Sequence, residues 1–178
     1  MTSNHARLIA LLSAIAAAAA LRLVPHPPNF SPIDAMALFS GAYLGRRWLA
    51  FAAPLAALIL SDLVLGFYPG FWIQYVAVAL VVVLGSVTLD RVSGARVAGS
   101  AIASSVLFFI VTNFGVWTLG TMYPMTAAGL AACYVAAIPF FQNTVAGDLF
   151  YATLLFGGFA VLEHLLPAVR RAGVPRAA

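Results

Sequence analysis

The residues best suited to bind a ligand stand at the ends of long apolar blocks. Six polar or ionisable side chains lie near one set of ends: His26, Asn29, Asp34, Asp62, Asn143 and Asp148. Gln74, Thr112 and Asn113 fall close to the same ends. Polar groups inside a bilayer are costly, so by default they mark a binding site or a transport path. Because these gather on one side, they predict a pocket open to that side rather than a relay across the membrane.

Several of these side chains also have a purely structural interpretation. Asp34 and Asp148 each stand near the predicted start of a helix, where a carboxylate can cap free backbone N–H groups. Asp62 lies near the end of its helix, where the helix dipole disfavours an anion. It therefore needs a partner, either a ligand or the guanidinium of Arg22. Asn113 can hydrogen-bond between helices, as Asn often does in membranes.

Two residues are candidate metal ligands. Cys133 is the only cysteine, and it is either a small buried hydrophobic residue or a soft ligand for a transition metal. His26 lies between prolines and is either a loop residue packed on an aromatic ring or a ligand. The sequence has no Gly-x-x-x-x-Gly-Lys loop, so no ATP hydrolysis by this chain is predicted. It also lacks a His-Glu-x-x-His zinc pair and a Gly-x-Ser-x-Gly elbow.

The amino-acid composition indicates whether water or lipid surrounds most of the protein. Of 178 residues, 63% are hydrophobic and only 8% are charged, whereas a soluble domain carries about a quarter charged residues. We therefore predict a single all-α membrane domain over residues 1–178. One cysteine excludes a disulfide scaffold. The nine basic residues form no dense face, which argues against nucleic acid as a partner.

Apolar block lengths predict six transmembrane helices and one short extra helix. A spanning helix needs about 17–25 apolar residues. The predicted spans are 8–24, 33–45, 48–66, 72–89, 98–119 and 145–166. The short block 127–141 is predicted to lie on the outer face and to end near Pro139.

Arginine placement predicts the orientation of these helices. Arginines occur at the start, in alternate loops and in the tail: Arg7, Arg46, Arg47, Arg91, Arg96, Arg170, Arg171 and Arg176. The loops 25–32, 67–71 and 120–126 contain no arginine or lysine. Because cytoplasmic loops carry the excess of Arg, both termini are predicted to be cytoplasmic. The alternative for the first segment is a cleaved signal peptide, since Ala16–Ala20 offers small-residue cleavage sites.

Small residues predict close helix contacts at two places. Ala10, Ala14 and Ala18 recur every four residues on the first helix, a spacing that allows another helix to approach closely. Gly157 and Gly158 in the last helix are a second candidate, for packing within the protein.

Four stretches resemble a known group of proteins. They are 22–43 (RLVPHPPNFSPIDAMALFSGAY), 54–68 with its Ser61-Asp62, 112–117 (TNFGVW) and 129–151 (GLAACYVAAIPFFQNTVAGDLFY). Together they resemble a family of small bacterial membrane proteins described as transport proteins. That family is similar to the substrate-binding S components of energy-coupling-factor vitamin transporters, and the resemblance covers most of the chain.

The resemblance implies a location, a partner and a ligand class. S components have six helices in the bacterial inner membrane, both ends cytoplasmic and an outward pocket capped by loops. Many dock a transmembrane coupling subunit, itself bound to ATPases, through Ala-x-x-x-Ala on the first helix, which Ala10, Ala14 and Ala18 match. Some relatives act in cobalamin uptake, and one group binds the corrinoid cobalt through a cysteine. By that resemblance, Cys133 or His26 is the expected cobalt ligand.

We therefore expect a binding and translocation protein for a vitamin-like molecule, cobalamin being the first choice. No cofactor of its own is predicted. The expected apolar walls are Phe30, Trp72, Trp117, Tyr123 and Phe141, and the expected directional contacts are His26, Asn29, Asp62, Asn113, Asn143 and Asp148. Two alternatives remain open. One is a membrane enzyme that uses Cys133 to exchange a ligand on a bound corrinoid, and the other is a scaffold subunit that binds a membrane protein through the alanine face.

Overall fold

The computed structural model describes residues 3–45 and 48–170, and within these ranges all regular structure is helical. The helices are α1 (Ser3–Leu21), α2 (Ile33–Leu44), α3 (Trp48–Leu65), α4 (Phe71–Thr88), α5 (Gly94–Leu119), α6 (Ala127–Ala152) and α7 (Gly158–Leu165). A π-helical turn, Thr153–Gly157, joins α6 to α7, and a 3-10 turn, Pro167–Val169, follows α7. The prediction of an all-α fold is thus confirmed for the described residues.

The predicted break between 127–141 and 145–166 is wrong. Ala127–Leu165 forms one continuous helix of 39 residues, and Pro139 lies inside it. Backbone groups in apolar surroundings must be paired internally, which favours continuing a helix through one proline. Asp148, interpreted as a possible cap, lies inside this helix, and the Thr144 hydroxyl bonds back to the Phe140 carbonyl at 3.3 Å, as in a helix interior.

Four helices are long and apolar enough to cross a membrane: Trp48–Leu65, Phe71–Thr88, Gly94–Leu119 and Ala127–Leu165. His5–Leu21 and Ile33–Leu44 are also apolar but shorter. The protein is therefore a membrane-type helical protein with four helices of spanning length. The prediction of six spans holds only if the two shorter helices also cross the membrane.

Helix α2 forms the centre of the bundle. Its residues from Ile33 to Gly41 are buried without interruption. It meets α4 at two glycines: a Cβ on Gly41 would lie 2.2 Å from the Val82 carbonyl oxygen, and one on Gly85 would lie 2.5 Å from the Leu38 carbonyl oxygen. Only glycine permits this approach, so these two residues place α2 in contact with the α4 backbone.

The small residues singled out in the sequence lie elsewhere. A Cβ on Gly157 or Gly158 would meet nothing within 4 Å, so the close contact expected there is absent. Ala18 is buried, and Ala10 and Ala14 pack partly buried against the core. The alanine face is therefore partly covered by this chain's own side chains. Docking of a partner at that face stays a prediction.

The start of α1 and the end of α7 meet at one end of the bundle, here called the Arg7 end. Arg7 pairs with Glu163 and donates to the Val169 carbonyl at 2.8 Å. Its guanidinium also lies 5.6 Å from the ring centroid of Tyr43, at the end of α2. Arg170 donates to the Glu163 carbonyl at 2.6 Å. Both ends of the described chain thus lie on the same side.

Other arginines lie away from the Arg7 end in sequence or outside the described residues. Arg96 pairs with Asp90 beside the loop that follows α4. Arg46, Arg47, Arg171 and Arg176, which contribute to the predicted orientation, lie outside the described residues.

Candidate functional site

A polar cavity of about 370 Å³ lies at the opposite end, here called the Arg22 cavity. It is lined by Arg22, His26, Asn29, Ser31, Ile33, Asp34, Leu65, Tyr68, Gln74, Phe108, Thr144 and Asp148. Helices α2 to α6 and the loops after α1 and α3 all contribute residues. Side chains far apart in sequence therefore meet here, as the clustering of polar residues predicted.

One wall of the cavity is a buried ion pair. Arg22 Nη1 lies 2.6 Å from Asp62 Oδ1, with side-chain exposures of 12% and 2%. Arg22 also donates to the Ser61 hydroxyl, and the Tyr75 hydroxyl donates to Asp62 Oδ2 at 2.7 Å. The predicted pairing of Asp62 with Arg22 is confirmed. Arg22 lines the cavity, and Asp62 lies behind Arg22 and holds its guanidinium in place.

A second wall comes from the turn between α3 and α4. The Tyr68 hydroxyl donates to Gln74 Oε1 at 2.5 Å. Burial, and then the nearby Asp62 carboxylate, raise the pKa of Tyr68, so the phenol keeps the proton that it donates. Tyr68 and Gln74 also line a neighbouring cavity of about 350 Å³ that extends towards Gly120. The Tyr68–Gln74 hydrogen bond therefore lies between the two cavities.

Asp34 is the most unusual group in the cavity. It is 3% exposed, and its Oδ1 is the one buried side-chain oxygen or nitrogen among the described residues that lacks a hydrogen-bond partner. The N–H that opens α2, that of Ile33, donates to the Ser31 hydroxyl at 3.4 Å rather than to Asp34, so the capping interpretation of Asp34 is not supported. A buried polar group without a partner costs about 1–3 kcal/mol, which a bound ligand can recover.

Asp148 is the second buried acid. It is 2% exposed, and the Ser105 hydroxyl of α5 donates to its Oδ2. Two carboxyl groups from α2 and α6 thus face one polar cavity, and neither belongs to an ion pair among the described residues.

Six of the predicted ligand contacts lie in or beside the cavity, one of them being Asp62 in the ion pair described above. His26, Asn29 and Asp148 line it. Asn143 supports the loop behind it, because its Nδ2 donates to the Pro28 carbonyl at 3.0 Å. Phe30 packs on Phe150 and Tyr151, with ring centroids 5.7 and 5.5 Å away.

The other predicted contacts are not among the lining residues. Trp72 is 52% exposed on the surface. Asn113 donates to the Phe109 carbonyl of its own helix at 2.8 Å, which replaces the predicted bond between helices. Trp117 donates to the Pro124 carbonyl at 3.0 Å, and Phe141 stacks near Phe109 at 4.9 Å. Tyr123 is half-buried in the loop between α5 and α6.

The two candidate metal ligands do not share a site. Cys133 is 2% exposed, and its thiol lies 3.5 Å from the Asn113 carbonyl between α6 and α5. His26 lines the Arg22 cavity, and its Nδ1 lies 3.0 Å from the Pro27 carbonyl. In the described part of the chain, no group of three or more His, Cys, Asp or Glu residues could hold a metal ion.

Sequence reasoning missed several cavity residues. Tyr68 and Thr144 line the Arg22 cavity but are not among the residues predicted to bind the ligand, and neither is Ser105, which supports Asp148 from α5. Ser100, Ser104 and Ser105 form a polar stripe on the apolar helix α5. That stripe was the available signal, because Ser104 and Ser105 are both fully buried.

Comparison with known proteins identifies a family but no activity. The chain belongs to a family of unknown function, DUF6580, whose model matches residues 2–169. No curated protein and no solved structure matches it significantly. The resemblance to S components therefore stays a prediction, and the Arg22 cavity is the basis for a functional proposal.

Proposed function

We propose that this protein binds a small polar, vitamin-like molecule in the Arg22 cavity as the first step of its uptake across the bacterial inner membrane. The observation that carries the proposal is the cavity itself, in which two buried acids and a buried ion pair face about 370 Å³ of space. Binding sites of about 300–1,000 Å³ with a few directed polar groups are typical of small-molecule pockets.

The proposed topology has six crossings with both termini in the cytoplasm. Arg7, Arg96 and Arg170 stand away from the Arg22 cavity, which fits the excess of arginine on cytoplasmic sides. Helix α2 is short for a span, but it is buried in protein, where a short helix avoids contact with lipid. The cavity then opens to the outside, and the loop 25–32 lies over it.

The ligand class follows from the resemblance, with cobalamin as first choice. The cavity volume is near the lower end of the usual range, so it would admit one part of a corrinoid rather than the whole molecule. His26 lines the cavity, whereas Cys133 is buried outside it. His26 is therefore the better placed cobalt ligand. Transfer inward would involve a coupling subunit with ATPases, as for S components.

The two alternative functions have less support. A corrinoid-modifying enzyme would need the Cys133 thiol at the ligand, but this thiol lies between α5 and α6. A scaffold that binds through Ala10, Ala14 and Ala18 would need a face that packs on its own core.

Native mass spectrometry of protein purified from its own host tests the proposal. We expect the wild type to retain a small molecule. Thr144→Phe places a ring in the cavity and should abolish retention. Ala146→Phe adds the same ring on an exposed position of the same helix and should leave retention unchanged. Absence of any retained molecule in the wild type, or equal retention in both variants, would contradict the proposal.

A spectroscopic experiment tests cobalamin itself. After incubation with cobalamin, the purified protein should carry a visible corrinoid spectrum that His26→Ala alters and Cys133→Ala leaves unchanged. If neither substitution alters the spectrum, cobalt ligation by these two residues is wrong. If no corrinoid binds at all, cobalamin is wrong as the ligand, while retention of another molecule would still support binding and uptake.

A further inference from the structure

The unpartnered acid in the Arg22 cavity defines what the cavity binds. We infer that its ligand carries an organic cation, such as a protonated amine or an amidinium, whose N–H groups donate to Asp34 and to Asp148. This inference rests on the proposed binding of a small vitamin-like molecule and adds the chemical class of that molecule. Because the side chains of cobalamin carry neutral amides and no protonated amine or amidinium, the inferred ligand is a vitamin-like molecule other than cobalamin.

The first support is the balance of charge. Three carboxyl groups lie in or directly behind the cavity: Asp34, Asp62 and Asp148. One guanidinium, that of Arg22, stands among them, and it is already paired with Asp62. Buried charges are normally paired or hydrogen-bonded. The two remaining acids therefore lack a cation that a ligand can supply.

The second support is the unsatisfied oxygen. Asp34 Oδ1 is buried without a donor among the described residues, although Asp34 lines an open cavity. Asp148 has one donor, Ser105, at Oδ2, and an ionised carboxylate offers about four acceptor positions. Both groups can thus accept N–H bonds from one ligand, and charge-assisted bonds of this kind are about twice as strong as neutral ones.

The size and lining of the cavity favour an organic cation over a metal ion. A volume of about 370 Å³ is many times the roughly 30 Å³ that one water occupies in the liquid. Ile33, Leu65 and Phe108 supply apolar surface beside the acids. An organic cation with a planar or aliphatic body matches both the volume of the cavity and its lining, since the body contacts the apolar residues and the cationic group contacts the acids.

The test uses two probes of almost identical shape. Benzamidine is a cation and benzamide is neutral, and each is titrated into the detergent-solubilised wild type while thermal unfolding is followed. We expect benzamidine to raise the midpoint and to bind at least about tenfold more tightly than benzamide, which corresponds to one charge-assisted contact. Asp34→Asn should abolish this preference, and Asp148→Asn should reduce it. Asp90→Asn, an exposed acid outside the cavity, should retain it.

Three results would overturn the inference. These are equal binding of the two probes to the wild type, no binding of either, or an unchanged preference in Asp34→Asn. The comparison within the wild type remains decisive even if the variants fail to fold. Retention of a neutral or anionic molecule in native mass spectrometry would reject the cation while supporting the proposed function.

Discussion

The Arg22–Asp62 pair is a charged contact that the bundle must keep intact, because both side chains are largely buried. Removing one partner leaves the other charge buried alone, which costs about 3–5 kcal/mol. Asp62→Asn should therefore lower the free energy of unfolding by about that amount. Chemical denaturation in detergent, followed by helix content, measures it.

The matched control replaces both partners of that pair. Arg22→Met with Asp62→Leu removes the two charges together and should recover most of the lost stability, since apolar replacements of buried ion pairs are often neutral. A double variant as unstable as Asp62→Asn alone would show that the pair has another role. A fully stable Asp62→Asn variant would refute the account of the pair.

Asp90 provides a contrasting case, because it lies fully exposed in a loop. The backbone N–H of Arg91, and then the guanidinium of Arg96, hold the pKa of Asp90 below its usual 3.8. A depressed folded-state pKa gives stability that is present above the unfolded pKa and is lost as pH falls through the folded one. The difference in thermal midpoint between the wild type and Asp90→Asn should therefore start to shrink as the pH falls to about 3.8 and vanish once the pH lies below the lower, folded-state pKa. A difference that grows on acidification would contradict this sign.

At the scale of elements, the α2–α4 contact depends on glycine. A Cβ at Gly41 would lie 2.2 Å from the Val82 carbonyl oxygen, and this backbone atom can move only with its helix. Gly41→Ala should destabilise the protein by about 1–3 kcal/mol or more, as overpacking does. Gly99→Ala is the control, because a Cβ there meets nothing within 4 Å. It should raise stability slightly, by about 0.5–1 kcal/mol. Equal effects of the two substitutions would disprove the close contact.

The continuous helix Ala127–Leu165 is a second feature that can be measured. Spin labels on cysteines at Ala131 and Ala160, in a Cys133→Ala background, should lie about 44 Å apart at 1.5 Å per residue. Labels at Ile102 and Val116 in α5 should lie about 21 Å apart and calibrate the scale. A clearly shorter Ala131–Ala160 distance would restore the separate outer helix that the sequence predicted.

The contrast between α2 and α6 explains what the sequence could predict. The predicted span 33–45 begins where α2 begins, at Ile33, because Pro32 just before it is a local signal for the start of a helix. The course of α6 past Pro139 was not predictable locally, since Asn143 bonds to the Pro28 carbonyl, a group that only the folded chain brings close. Local signals define helix starts, whereas partners distant in sequence decide whether a helix continues.

Some features of the candidate site were likewise predictable from the sequence, and others were not. The clustering of His26, Asn29 and Asp148 was predictable because all three stand close to the same ends of the predicted spans. The roles of Asp34 and Asp62 were not predictable, because an aspartate near a helix end can be a cap, a member of an ion pair or a ligand contact. The sequence alone does not distinguish these three roles. Burial and hydrogen-bond partners distinguish them: Asp62 is paired, whereas Asp34 has an oxygen without a partner.

For the whole molecule, the main feature is that the two ends of the bundle carry different polar groups. Arg7, Glu163 and Arg170 bond to one another at one end, and the Arg22 cavity lies at the other. The apolar surface between them includes strongly exposed side chains, such as Leu60 and Val64 of α3 at 64% and 71%. Exposed apolar residues of this size indicate lipid as the surrounding solvent. A bundle with two unlike ends is suited to take up a ligand on one side only.

The direction in which the Arg22 cavity opens can be measured in intact bacterial cells with a membrane-impermeant maleimide. In a Cys133→Ala background, Asn29→Cys marks the cavity, and Val92→Cys marks the exposed loop after α4. We predict that Asn29→Cys is labelled in intact cells and that Val92→Cys is labelled only after the cells are permeabilised. Labelling of Val92→Cys from outside, with Asn29→Cys protected until lysis, would place the cavity in the cytoplasm and contradict uptake through it.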